Sequence, residues 1–542
     1  MNSDAIPDAQ EFDYIVVGAG SAGCVVAARL SQSGRHSVLL LEAGPVDRSP
    51  WIHIPMGYPK LFSDPAVNWM YESEPEPELN GRRLYQPRGK VLGGTSSING
   101  MVYIRGHAED YDVWRQLGCA GWGWDSVLPY FKKAQDQVRG ADAFHGAGGP
   151  LRVSEPAHVW DLSRKFVDAC LEAGIPPNAD FNGATQEGVG FYQTTTNKSR
   201  RWSAAAAYLK PARNRRNLTI ATDAQATNLL VTGGRICGVA YRTKHGSKTT
   251  SARGEVILSG GAFNSPHLLL LSGLGPASHL RDHGIAVIRD ISGVGANLQD
   301  HFQSQMLFRC AEPVTMNDFA ASPLRKLLAG LRYALARKGP LAGNGLAAAA
   351  FVRSDKSRER PDLNIYLNPG SAAQRDRNGV TQHPFSAFTM GPVHMQPDAR
   401  GSVRLRSPDP LTPPTIRFNF LKTDYDRRAI VAGLRVIREI ARQPALAPYI
   451  LEELLPGPGV VTDADFETDT RARGFSNMHA VGTCRMGDDP DAVVDPRLRL
   501  RGMSGLRVVD ASIMPLIING NTNAPTIMIA EKASDMILED AR

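Results

Sequence analysis

The 542-residue chain is poor in several features that would have decided its class at once. Its six cysteines stand singly, with no C-x-x-C pair. That spacing fits reduced thiols of a cytosolic protein better than a disulfide framework, and it argues against a structural zinc site. No uninterrupted apolar run approaches the ~18–20 residues needed to cross a bilayer. The richest stretches, Leu268 to Leu271 and Leu346 to Val352, are short enough to be core. Met1 to Phe12 is polar and lacks the apolar segment of a signal peptide, so a cytoplasmic location is expected. Repeats and low-complexity tracts are missing too. Net charge is only +7, and the densest basic spots, Arg200-Arg201 and Arg213-Asn214-Arg215-Arg216, have no aromatic interleaving. A nucleic-acid platform is therefore not expected. Such basic spots read as a solvated face and leave room for, at most, peripheral attachment to an anionic inner membrane.

What is present begins at residue 13. Asp13 to Val17 is a short apolar run with the character of a buried parallel strand. Gly18-Ala19-Gly20-Ser21-Ala22-Gly23 follows, Cys24 to Leu30 has helical composition, and Ser37 to Leu41 is a second strand ending at Glu42 and Ala43. Gly18 permits the tight turn, Gly20 lets the backbone approach a pyrophosphate, and Gly23 lets helix and strand pack closely. The helix start offers unbonded N–H groups and a positive dipole end to phosphates. Glu42, 24 residues after Gly18, is placed to accept from an adenosine ribose. These parts together predict a dinucleotide site.

At this length two associated domains are expected, and 42% hydrophobic with 21% charged residues is globular composition. Arg253 to Ala262 reads as a strand entering a second glycine turn, with a helix from Pro266 to Leu271. Nucleotide-type features thus recur at 13–42, 254–301 and 476–533, so the chain returns repeatedly to its first domain. The expected fold is α/β: a Rossmann-type cofactor domain assembled from 1–150, 216–301 and 476–542. An α+β substrate domain with an antiparallel sheet would come from 151–215 and 302–475. Leu363 to Leu367 and Ser402 to Leu405 read as strands of that sheet. Tyr425 to Arg442 reads as a helix with Ile430, Leu434, Ile437 and Ala441 on one face.

Four further motifs stand out. They are Gly89-Lys90-Val91-Leu92-Gly93-Gly94-Thr95-Ser96-Ser97-Ile98-Asn99-Gly100, Gly261 to Gly275, His479-Ala480-Val481-Gly482-Thr483-Cys484-Arg485-Met486-Gly487, and Asn519 to Thr526. With the first turn they closely resemble the glucose–methanol–choline (GMC) family of flavin-dependent oxidoreductases, in its bacterial alcohol and choline dehydrogenase branch. Tyr103 to His107, Asp180 to Gly183 and Gly293 to His301 add to the likeness, which runs from about residue 12 to the C-terminus.

The resemblance implies FAD as cofactor and oxidation of a primary alcohol to its aldehyde, with proton removal from the hydroxyl and hydride transfer to flavin N5. His479 matches the family's base, and Asn523 is taken as the second position of its catalytic pair. Gly93, Gly94, Ser97, Asn99, Gly100, Met101 and Val102 are expected along the flavin. Ala226 is expected near adenine, and Asp510, Ala511, Asn521, Thr522 and Thr526 around the flavin chain. Ile98 stands where some members attach FAD through a histidine, so the FAD is expected to be non-covalent. His301 is assigned a structural role. The expected partners are a small alcohol and a quinone or other electron carrier. Oxygen as acceptor, a lyase activity or a non-catalytic flavoprotein are the alternatives.

Overall fold

The computed structural model describes residues 9–541, and two sheets organise it. The first contains β1 (Gln10–Val17), β2 (Val38–Leu41), β3 (Leu218–Ala221), β4 (Gln225–Thr232), β5 (Arg235–Thr243), β6 (Gly246–Leu258) and β7 (Leu506–Val508). Its order is β3-β2-β1-β6-β5-β4, with β7 also on β6. β3, β2, β1, β6 and β7 run parallel, while β4, β5 and the first half of β6 form an antiparallel meander. Parallel strands covered on both faces are apolar throughout, which explains why Ile15, Val16, Leu39, Leu40, Val256 and Ile257 are all buried. Helix α1 (Ser21–Leu30) and the C-terminal helix α3 (Asn523–Asp540) lie against each other beside this sheet, and α2 (Gly261–Leu271) follows β6.

A buried ion pair fastens α1 to α3. Arg29 Nε and Nη2 donate to the two oxygens of Glu531 at 2.8 and 2.7 Å, and Tyr208 Oη donates to the same carboxylate at 2.8 Å. Bidentate geometry and the third donor compensate the burial of Glu531. The starts of both helices, joined by Ser21 and Asn523, lie at the C-terminal edge of the parallel strands, where ligands of such sheets bind.

The second sheet is antiparallel, in the order 450–455, 306–310, 387–394, 363–368, 348–352, 188–191. Its strand Leu363–Asn368 shows why it makes a wall. Leu363, Ile365 and Leu367 enter a core with helices Asp161–Glu172 and Asp424–Ala441, while Asn364, Tyr366 and Asn368 line a cavity on the other face. This is the two-residue alternation of a strand buried against unlike neighbours.

Some elements differ from the sequence reading. Helix Asp424–Ala441 starts one residue early because Thr423 Oγ1 accepts from Asp426 N and caps it. α3 starts at Asn523, inside the motif Asn519 to Thr526. Ser402–Arg404 pairs with Thr415–Arg417 as a separate hairpin instead of joining the second sheet. Within 151–215, Leu162, Phe166 and Val189 belong to the second core, whereas Leu151, Ala204, Tyr208 and Leu209 belong to the first.

Candidate active site

The two sheets enclose a cavity of about 970 Å³ whose wall carries most of the residues expected from the sequence. On the first-sheet side are Gly18, Gly20, Ser21, Ala22, Glu42 and Ala43, with Ala226, Asp510 and Ala511 nearby. Gly94, Asn99, Gly100, Met101 and Val102 supply one flank, and His479, Asn521, Thr522, Asn523 and Thr526 another.

Gly23, Gly93 and Ser97 stand behind the wall and shape it. A Cβ on Gly23 would lie 1.8 Å from the Gly18 carbonyl oxygen, so only glycine lets α1 start this close to β1. Gly93 has φ +90° and donates its N–H to Ala19 O at 2.8 Å, and Ser97 Oγ donates to Leu92 O at 2.7 Å. Gly94 lies flat on the dinucleotide turn, since a Cβ there would come 2.6 Å from Gly20 Cα. Backbone alone forms this cradle, as a planar or phosphate-bearing ligand requires.

Glu42 is buried at the end of β2, with its carboxylate accepting from Ala19 N and Gly44 N, each at 2.9 Å. Burial outweighs those bonds and pushes its pKa up to about 7. Asp510 accepts from Gly261 N at 2.9 Å and Ser265 Oγ at 2.6 Å, which ties the start of α2 to the segment after β7.

The chemistry-bearing group sits opposite. His479 Nε2 lies 3.0 Å from Asn521 Nδ2, and its Nδ1 lies 2.9 Å from His301 Nδ1. His301 Nε2 is 3.1 Å from Ile518 O. A carbonyl only accepts, so His301 carries its proton on Nε2. Burial pushes both imidazoles towards the neutral form, with His479 down to about 3, the cation of Arg88 adding to the effect. Neutral His301 then accepts at Nδ1 from His479 Nδ1–H, which leaves the His479 Nε2 lone pair facing Asn521. Asn477, 3.2 Å from His479 Nδ1, carries a donor and an acceptor in one amide and suits either orientation. Asp300 fixes the backbone by accepting from His479 N at 2.6 Å and, with its other oxygen, from Ser476 Oγ.

Asn523 lines the same cavity as His479 but hydrogen-bonds elsewhere. It is the first residue of α3, and its Oδ1 accepts from Ser21 Oγ at 2.8 Å, so the side chain bridges to the dinucleotide turn. Asn521, two residues upstream in the loop before the Thr522 cap, extends to His479 instead. The helix start turns these two amides to different partners. His301, read as structural, hydrogen-bonds His479, and Arg88, which the sequence did not single out, lies near enough to depress that imidazole. The short spacing of Asp300 and His301 on one loop was the available signal.

Two family models match this chain, the N-terminal GMC oxidoreductase model over residues 12–303 and the C-terminal one over residues 397–530. The chain belongs to the GMC oxidoreductases.

Relatives of this GMC oxidoreductase include an alcohol dehydrogenase [acceptor] of Pseudomonas putida, 45% identical over 531 residues, covering 97% of this chain and 96% of that protein. Human mitochondrial choline dehydrogenase is 44% identical over 536 residues, covering 97% and 90%. Among solved structures, an FAD-dependent oxidoreductase from Chaetomium thermophilum superposes with a TM-score of 0.90 at 26% identity, covering 98% of this chain and 100% of that one. FAD is the cofactor, and the glycine cradle fits it: no side chain fills the space along Gly18, Gly20 and Gly94, where a Cβ on Gly18 or Gly94 would strike backbone. No helix among the described residues is long and apolar enough to cross a membrane.

Proposed function

We propose that this enzyme oxidises a neutral primary alcohol to its aldehyde, with His479 as the proton acceptor and Asn521 as its hydrogen-bonding partner. The observation that carries the reading is the hydrogen-bonded chain Ile518 O, His301, His479, Asn521, buried at His301 and half-buried at His479 and Asn521, which leaves a lone pair and an amide donor together on the cavity wall. A hydroxyl between them would give its proton to Nε2 while Asn521 Nδ2 donates to the oxygen that becomes negative. Arg88, buried and near enough to depress His479, adds positive potential for that charge and keeps the imidazole unprotonated at rest. FAD, when bound, supplies the hydride acceptor. Asn523 and Ser21 hold the α3 start to the dinucleotide turn, and Gly18, Gly20, Gly94 and Glu42 shape the cofactor side.

Ile98 supports non-covalent FAD, because it is an apolar residue packed among Ile52, Leu61, Val67 and Val91. The cavity supports a neutral substrate. Its carboxylates are Glu42 and Asp510, already engaged by donors, and Glu72 and Asp376 near the surface. The second-sheet wall presents Gln303, Asn364 and Tyr366, all uncharged, with Tyr366 Oη donating to Gln303 Oε1 at 2.7 Å. A quaternary ammonium would call for an acidic or aromatic cage. The wall does carry aromatics, Trp69, Tyr71, Phe263 and Tyr366 among them, but it also carries the cations Arg82, Arg83, Arg88, Arg375 and Arg473, which disfavour a cationic substrate. A quinone or other carrier is the proposed re-oxidant.

The test is an anaerobic absorbance titration of the FAD-loaded enzyme with 1-alkanols, benzyl alcohol and choline. Bleaching by a neutral alcohol at lower concentration than choline supports the reading. Bleaching by choline alone overturns the substrate class, and no bleaching by any alcohol overturns the oxidation. Admitting air afterwards separates oxygen from a carrier as acceptor.

A further inference from the structure

Helix Pro323–Ala336 turns its most apolar face outward. Leu324, Leu327, Leu328, Leu331 and Leu335 are between 51% and 86% exposed, whereas only Ala329 and Tyr333 are buried against the body. At about 100° per residue these five leucines fall within an arc of roughly 100°, directed away from the buried pair. The same segment carries Arg325, Lys326, Arg332, Arg337 and Lys338 and has no acidic residue. Single exposed leucines are ordinary, but a continuous stripe of them marks an interaction surface.

The charges decide what covers it. A second copy of this chain seated on the stripe by a two-fold axis would bring the flanking Arg325 and Arg332, with Arg337 and Lys338 past the helix end, against the same cations of its mate, which is repulsive. An anionic bilayer reverses that sign, since each Lys or Arg gains at the lipid surface while the leucines enter the headgroup–acyl boundary. We propose that this helix docks the enzyme on anionic phospholipid, lying in the plane of the surface. It also stands beside the cavity: the wall residues Met316 and Leu346 bracket it in sequence, and the turn Pro340–Ala342 that follows it contacts Pro55–Gly57, next to the wall residues Tyr58, Pro59 and Phe62. Docking thus sets one wall of the cavity next to the lipid. The inference does not depend on the catalytic reading, because flotation and flavin bleaching are separate readouts.

The test is flotation of the FAD-loaded enzyme with vesicles of phosphatidylcholine alone and of phosphatidylcholine mixed with phosphatidylglycerol. The expected result is partitioning about ten-fold or more stronger on the mixed vesicles and weakened by salt. Leu327→Ser with Leu331→Ser lowers it about ten-fold or more. Arg325→Ser with Arg332→Ser lowers it about ten-fold and flattens the salt dependence, and it leaves the leucines in place as a check independent of the first variant's folding. Flavin absorbance and turnover with a soluble acceptor stay unchanged in both. Wild-type enzyme that ignores anionic vesicles would overturn the proposal, as would a dimer that the leucine substitutions dissociate.

Discussion

The two walls of the cavity are built on opposite principles. The first-sheet wall is backbone: a Cβ on Gly18 would meet the Ser259 carbonyl and one on Gly94 would meet Gly20 Cα. Across from it are the side chains proposed for the chemistry, His479 and Asn521, with His301 behind them, drawn from three segments and held by hydrogen bonds. A backbone wall tolerates no added volume and is indifferent to proton chemistry. A side-chain wall tolerates isosteric change and fails when a donor or acceptor is lost.

That contrast can be broken at its strongest point by Gly23→Val. The added carbons meet the Gly18 carbonyl, and overpacking of this kind costs about 3 kcal/mol or more, so FAD content by absorbance and Tm should both collapse. His479→Ala should do the reverse. FAD is retained, while the anaerobic rate of flavin reduction falls ~10²–10⁴-fold; retention of the wild-type rate would remove His479 from the chemistry.

Asn521→Ala against Asn523→Ala sharpens the assignment within one loop. Loss of the Asn521 donor should lower the reduction rate ~10²-fold or more. Loss of the Asn523 acceptor should leave that rate within ~10-fold and instead weaken FAD retention through Ser21. Equal effects on rate would erase the distinction drawn from the geometry. Glu531→Gln leaves Arg29 partly unpaired at the α1–α3 contact, for which a loss of about 3 kcal/mol in unfolding free energy is expected by denaturant titration, with KM little changed.

The smallest effect is one of pH. An imidazole of ordinary pKa would lose kcat/KM as pH falls through 6.5. With His479 near 3 in the free enzyme, the base stays unprotonated, so no imidazole limb should appear between pH 7 and 5. A shallow step close to 6 would belong to Asp300, which burial raises to about 6. Stability carries opposite signs from the imidazole and the carboxylates. His479, depressed, disfavours the fold increasingly as pH drops below 6.5, because only the unfolded chain takes up the proton. Asp300, raised to about 6, and Glu42, raised to about 7, relieve the fold as pH drops from those values towards the ordinary carboxylate range. Global unfolding monitored across that range should therefore show partial cancellation.

Much of the first wall was legible in residue order because its parts are contiguous. Strand, glycine turn, helix and terminal Glu42 follow one another within 33 residues of described chain, Gln10 to Glu42, and steric need names a glycine at each tight place. Five separated motifs likewise pointed to the GMC family, and through it to FAD. The catalytic pair was only half legible. His479 was identified, but choosing between Asn521 and Asn523 depends on where α3 begins, and a cap one residue earlier or later rotates the amide to another partner.

The chain order by itself determined the cofactor turn and the family and singled out His479 by its motif, since each follows from local sterics or a motif. Only the tertiary structure decided that His301 sets the proton on His479, that Asn521 is the amide facing it, and that a leucine stripe turns outward among cations. Those are contacts, or missing contacts, between segments far apart in sequence. Periodicity gives a helix an apolar face, but only the packed molecule shows whether anything covers it.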